Sequence, residues 1–270
     1  MRKKIFCTLF AASLWATVNE PLRWEIFSGY RNDRIHWHLQ EPGEEGALTL
    51  SEVYRDVQYW LNGLVLKAIH RDLVVFVRGA YGAFGKGKLT QRYEPMNPAD
   101  PHIHSSTDGW CADASGYVGY AVNLTADRPY KVLLVPLIGY AGYFEQIHKM
   151  ALSEHFRLVW NGWFIGAQWI FETSGPAIFT AGWSYNMMHN RAHTHVGETS
   201  LKTSSGGNKG QLGWAQMDWR IGSLWRIGLG GEMLYLTTRI VDAALSSGPD
   251  QKFKLRWIPI SGWVQTSRTF

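Results

Sequence analysis

The sequence predicts an all-β fold, a single ten-stranded antiparallel transmembrane β-barrel, on three observations. Apolar and polar residues alternate with a period of two along successive segments, as strands with two unlike faces require. Short turns and longer polar connections then follow one another in strict alternation, the plan of an outer-membrane barrel with short turns on one side and long loops on the other. Finally, 14 Trp, 12 Tyr, 12 Phe and 28 Gly in 270 residues suit strands and tight turns, and are far too aromatic for a disordered chain. No run of about 18 apolar residues is present, which excludes a polytopic helical membrane protein.

Residues 1–16 have the order of a secretory signal peptide. Arg2, Lys3 and Lys4 precede an apolar run from Ile5 to Ala16, and small residues end it. Cleavage after Ala16 is expected, leaving a barrel over residues 17–270 and an outer-membrane location after export to the periplasm. Cys7 would leave with the peptide, so Cys111 remains alone and no intramolecular disulfide is available. Export also changes the charge. The full chain carries +5, but without the three basic residues of the signal it has 24 basic and 22 acidic residues, a net +2. No block of Lys or Arg interleaved with aromatics points to nucleic acid.

Along the mature chain, Trp24, Ile26 and Tyr30 alternate with Glu25 and Arg31. Val57, Tyr59, Leu61 and Val65 share one face and Asp56, Gln58 and Asn62 the other, which places the first set toward lipid and the second in a polar lumen. Trp163, Ile165, Ala167, Trp169 and Phe171 repeat the pattern. Met217, Trp219 and Ile221 face away from Asp218 and Arg220, as Ile227, Leu229, Met233 and Tyr235 face away from Glu232. The many Trp on the apolar side fit an interfacial girdle near the strand ends.

The short turns fall at His70-Arg71-Asp72, at Ala126-Asp127-Arg128-Pro129, between Glu172 and Pro176, and at Gly222-Ser223. Longer polar connections occupy 40–50, 94–109, 148–154, 196–210 and 242–251. Four turns and five loops join ten strands, and a closed barrel satisfies its backbone without a disulfide. The run Thr203-Ser204-Ser205-Gly206-Gly207-Asn208 is expected to be a flexible loop.

Several stretches carry a family resemblance. Ile26-Phe27-Ser28-Gly29-Tyr30 through Arg34, Gly79-Ala80-Tyr81-Gly82, Leu134 to Tyr143 with Gly139-Tyr140, and the terminal Thr269-Phe270 resemble the omptins, ten-stranded outer-membrane proteases. The resemblance is one of order and spacing over almost the whole mature chain. It implies a tall barrel whose outer end holds an aspartate pair facing an Asp-x-His. At the matching positions stand Thr90 and Arg92, in Leu89-Thr90-Gln91-Arg92-Tyr93, and His193 and His195, in His193-Thr194-His195. Three of four expected groups are absent, and Arg92 would repel cationic substrates. The scaffold is therefore expected without its protease chemistry, and no catalytic residue or cofactor is assigned. The alternative is a diverged endopeptidase in which a shifted register brings in Asp100 or Asp108. A looser resemblance, to Trp-rich outer-membrane barrels of chlamydia-like bacteria, rests on no single motif.

Nine of the ten His fall in the expected outer half or its loops. In a strand His36 and His38, or His193 and His195, would share a face, which suits a transition metal; the competing reading makes them ordinary polar aromatics at an interface. The expected lumen carries Glu25, Asp56, Arg78, Asp218, Arg220 and Glu232, with Lys254 and Arg256. A ten-stranded barrel is narrow enough for such side chains to close. The function classes left are a narrow porin-like barrel and a structural or surface-binding one. Expected partners are outer-membrane lipid, lipopolysaccharide, and the barrel-insertion machinery through the terminal Phe270, although Arg268 replaces the aromatic usual two residues earlier.

Overall fold

The computed structural model describes residues 22–40, 49–94, 103–125, 128–150, 154–196, 199–238, 241–245 and 251–270. The expected signal peptide, 1–16, lies outside them, as does Asp100. The strands are β1 Leu22–Gln40, β2 Thr49–His70, β3 Leu73–Glu94, β4 Ile103–Tyr120, β5 Lys131–Lys149, β6 Glu154–Glu172, β7 Ala177–Val196, β8 Thr199–Ile221, β9 Trp225–Thr237 and β10 Gln251–Thr269. Two further segments prolong existing ladders. Val122–Asn123 extends β4 along β5, and Val241–Leu245 extends β9 between β8 and β10.

Consecutive strands pair antiparallel, and β1 pairs β10 from Arg23↔Thr269 to Gln40↔Lys252. The result is a closed ten-stranded barrel, so the interior strands leave no open edge. The four turns lie at one end with Leu22 and Phe270. Between β2 and β3 the chain reverses in Arg71-Asp72, with Arg71 at φ 54°. Between β8 and β9 it does so through Gly222 at φ 67°, a left-handed conformation natural to glycine. Outer-membrane barrels keep short turns on the periplasmic side, which orients this end.

At the other end the expected loop 196–210 is mostly strand, and strand also takes His148, Lys149 and Glu154 of the expected loop 148–154. β5 runs to Lys149 and β6 starts at Glu154, while β7 ends at Val196 and β8 starts at Thr199. The run 203–208 is part of β8. Thr203, Ser205 and Asn208 are buried inside the barrel, Asn208 donates to Ser205 O at 2.9 Å, and a bulge at Gly206-Gly207 shifts the register against Met188 and Asn190. These residues look loop-like in sequence because both faces of the strand are polar here, one toward water and one in a hydrogen-bonded interior.

The outward face explains why the strands are so long. Next to the turns it is apolar: Ile26 and Tyr30 on β1, Leu64 and Leu66 on β2, Ile138 on β5, Ile165 on β6, Leu229 on β9 and Val264 on β10 are all exposed. Aromatics close the belt at both margins, with Trp24 edge-on to Trp225 near the turns and Tyr140 edge-on to Trp163 at 5.3 Å farther up. The upper girdle thus lies in mid-strand rather than at the strand ends. On β1 the belt takes the nine residues up to Tyr30, close to the ~9–11 needed to cross a bilayer. The ten residues above it, Arg31–Gln40, add ~30 Å of strand, whose outward side carries Arg34, His36 and His38.

Candidate functional site

The inward face changes character at the same height, in the opposite sense. Above the belt the lumen is filled with apolar side chains, among them Trp37, Trp160, Trp257, Tyr54, Phe156 and Phe253, all essentially without solvent exposure. Tyr54 stacks on Phe156 with ring centroids 5.3 Å apart, and Trp37 lies 6.0 Å from Phe253. Close-packed rings of this kind leave no space for water. Room for them comes partly from glycine: a Cβ on Gly85 would collide with the Tyr59 ring, and one on Gly210 with Leu236.

Many polar groups inside this plug are matched to one another, while Trp160 Nε1 and Glu145 Oε2 are buried without a hydrogen-bond partner. Glu52 accepts from Trp37 Nε1 at 2.9 Å, Tyr54 OH at 2.7 Å and Lys149 Nζ at 2.7 Å. Lower down, Arg31 makes a two-pronged contact with Asp33, Nε to Oδ1 at 2.6 Å and Nη2 to Oδ2 at 2.5 Å, and its Nη1 reaches both oxygens of Asp113 on β4 at 2.9 Å. Trp257 Nε1 donates to Asp33 at 3.0 Å, and its ring lies 5.0 Å from the Arg31 guanidinium. Tyr59 OH donates to Glu145 at 2.7 Å. The layer ties β1, β2, β4, β5 and β10 together across the lumen; buried charges are tolerable only with such satisfaction.

Beneath the layer, at membrane depth, lies a cavity of about 100 Å³, bounded by Phe27, Phe76, Tyr117, Tyr143, Trp214 and Trp263 and by charged side chains. Arg78 pairs with Glu232 at 2.6 Å and stacks between Phe27 and Trp263, 4.9 and 5.2 Å from their centroids. Arg23 pairs with Glu25. Asp218 accepts from Gln216 at 2.8 Å and Gln265 at 2.9 Å. A second space of about 100 Å³, sharing Arg23, Lys67 and Thr180 with the first, continues toward the turns between Asp218, Arg226 and Glu172.

Four of the six expected lumen charges therefore face the interior: Glu25, Arg78, Asp218 and Glu232. Asp56 does not. It sits at φ 55° where the β2–β3 register shifts between Arg55 and Gln58, and it is exposed on the outer surface. Arg220 marks the turn-end rim, partly exposed and 3.2 Å from Glu172. Lys254 and Arg256 point outward, because Phe253, Leu255 and Trp257 take the inward positions of β10. The face assignment of β2 is likewise reversed. Val57, Tyr59, Leu61 and Val65 are buried in the barrel and Asp56, Gln58 and Asn62 are outside, because much of this strand stands above the belt, where water is on the outside.

Of the positions matched to the omptin site, the two whose side chains are described, Thr90 and His193, do not face the lumen. Leu89 and Gln91 are the buried residues of that part of β3, leaving Thr90 on the outer face; the Arg92 and His195 side chains lie outside the described set. His193 is on the outer face of β7, its ring 6.0 Å from His155 of β6, which in turn lies 6.4 Å from His148 of β5. His36 and His38 do share a face, but it is the outer face of β1, where His36 Nε2 lies 3.0 Å from Ser51 Oγ. The two pairs stand on different walls. Among the described residues, no three His, Cys, Asp or Glu side chains are grouped to hold a metal ion.

The family model of the Protochlamydia outer membrane protein matches residues 25–151, the first half of this belted, closed barrel. The chain is an outer-membrane β-barrel protein. The barrel superposes on the outer membrane protease OmpT of Escherichia coli with a TM-score of 0.70 over 94% of this chain and 99% of that one, at 7% identity, so the likeness is one of fold alone. The transport unit of the autotransporter AIDA-I from Escherichia coli aligns over 98% and 97% of the chains at 11% identity with a TM-score of 0.44, and Neisserial surface protein A over 90% and 95% at 10% identity with 0.34. No curated protein matches the sequence.

The sequence already displayed Arg31 on the inward face of β1. It did not display the partners, since Asp113 is 82 residues away and Lys149 lies 97 from Glu52.

Proposed function

We propose that the protein is a sealed, non-conducting outer-membrane barrel that serves as a rigid structural and surface-binding module, without protease activity. The packed interior above the belt carries this reading: three fully buried Trp and the Arg31–Asp33–Asp113 layer fill the cross-section that a pore would need. Thr90 and His193 on outer faces support the absence of a lumenal hydrolytic site, because a base and its partners must meet around one substrate atom. Recording from single barrels in planar bilayers tests the reading; a silent membrane is expected, and discrete current steps would replace it with the narrow-porin alternative.

Two partners follow from the surface. Arg34, His36 and His38 of β1 and Lys252, Lys254 and Arg256 of β10 lie on neighbouring outer faces of the wall that rises above the belt, with His36 opposite Arg256 and His38 opposite Lys254. This cationic seam suits the phosphates of lipopolysaccharide. Phe270, exposed at the turn end with Arg268 5.0 Å from its ring, is available to the insertion machinery.

A further inference from the structure

The cavity beneath the Arg31 layer continues toward the turns through residues shared with the lower space, so its chemistry is addressed to the periplasm. Its carboxylates are already committed. Glu25 pairs with Arg23, Glu232 with Arg78 and Glu172 with Arg220, while Asp218 is held by the amides of Gln216 and Gln265. Two cations have no such partner: no ion pair joins Lys67 or Arg226 to a carboxylate among the described residues. They stand close together in the strand ladders, since Lys67 is directly opposite Arg23, Arg23 opposite Thr269, and Arg226 opposite Ser267. Both border the lower space, and Lys67 also lines the larger one, where the walls are aromatic. The lower space is bordered by three cations, Arg23, Lys67 and Arg226, against two carboxylates, Glu172 and Asp218, and a surplus cation in a low-dielectric site attracts an anion more strongly than a surface cation does.

We propose that the periplasm-facing cavity binds an anionic small molecule with an aromatic body, its acid group held by Lys67 and Arg226 and its ring among Phe27, Phe76, Tyr117 and Trp263. The acid balances the surplus of Arg23, Lys67 and Arg226 over Glu172 and Asp218, and the ring replaces water against the aromatic wall. The class is set by the pair of features together: a neutral aromatic leaves both cations unmatched, and a bare inorganic anion leaves the aromatic wall wet.

The full barrel in nanodiscs of zwitterionic phosphatidylcholine, titrated calorimetrically with 2-naphthoate, 2-naphthylmethanol or inorganic phosphate, tests this. Saturable binding of one naphthoate per barrel is expected, with the alcohol and phosphate each about tenfold weaker or more, and with Lys67→Gln and Arg226→Gln each weakening naphthoate by about tenfold. Lys88→Gln, on the outer face above the belt, is expected to change nothing. Retained heat-modifiable gel migration identifies folded variants, and Lys67→Arg restores binding if the positive charge is what matters. Equal affinity for the alcohol, equal affinity for phosphate, indifference to both substitutions in folded barrels, or no saturable binding would each overturn the proposal. The readout is binding rather than current, so its failure is distinct from a failure of the sealed-barrel reading.

Discussion

Lys149 of β5 donates to Glu52 of β2 across 2.7 Å inside the upper barrel, and neither side chain is exposed to solvent. The pair bridges strands that are not neighbours in the sheet, so it fastens opposite walls rather than one hairpin. Trp37 and Tyr54 donate to the other Glu52 oxygen, which makes the carboxylate the hub of the plug.

Removing one member of this pair should cost far more than removing both. Lys149→Met is expected to lower unfolding stability by about 3–5 kcal/mol, because it strands a buried charge, whereas Lys149→Met with Glu52→Gln should regain most of the loss. Urea unfolding of the refolded barrel measures both, and a double variant as unstable as the single one would contradict the arrangement.

The depth of the belt can be checked with two substitutions on one face of one strand. Ile165 is exposed within the belt and Val159 lies on the same face of β6 above it. Ile165→Arg should destabilise by about 2–4 kcal/mol in lipid, and Val159→Arg by less than about 0.5 kcal/mol. Equal costs would move the membrane boundary.

At the outer end, His193→Ala/His195→Ala should leave zinc and nickel affinity unchanged, since the described histidines do not gather into a ligand set. Wild-type barrel incubated with dibasic peptides and lipopolysaccharide should not cleave them. Cleavage that His195→Ala abolishes would restore the protease reading.

Charge reversal at the β1–β10 seam should act on lipid rather than on folding. Lys254→Glu/Arg256→Glu is expected to weaken lipopolysaccharide binding about tenfold or more at low salt, with a smaller effect as ionic strength rises, while gel migration stays that of a folded barrel. Unchanged binding would detach the seam from the lipid.

Strand number, closure and the four turns were legible because they depend on local alternation and on turn residues such as Gly222. The faces of β2 were not. Alternation gives a phase, and Val57, Tyr59 and Leu61 alternate equally well whichever way they point; only the height of the strand relative to lipid decides, and that height is set by strands far away in sequence. The bulge at Asp56 added a local reversal that carried no obvious signature. In the site, single charges such as Glu25, Arg78 and Glu232 could be found from their isolation among apolar neighbours, but the plug could not, since its members are scattered over most of the strands and resemble lipid-facing residues one by one.

The exchange of polarity between the inner and outer faces fixes the barrel vertically. A barrel with one continuous apolar coat can ride up or down as bilayer thickness changes, adjusting by tilt or local thinning. Here upward travel would draw the apolar coat into water, and downward travel would bring Arg34, the first outward charge of β1 above the belt, into hydrocarbon. The molecule is therefore expected to deform the surrounding lipid rather than move within it, acting as a fixed gauge of membrane thickness.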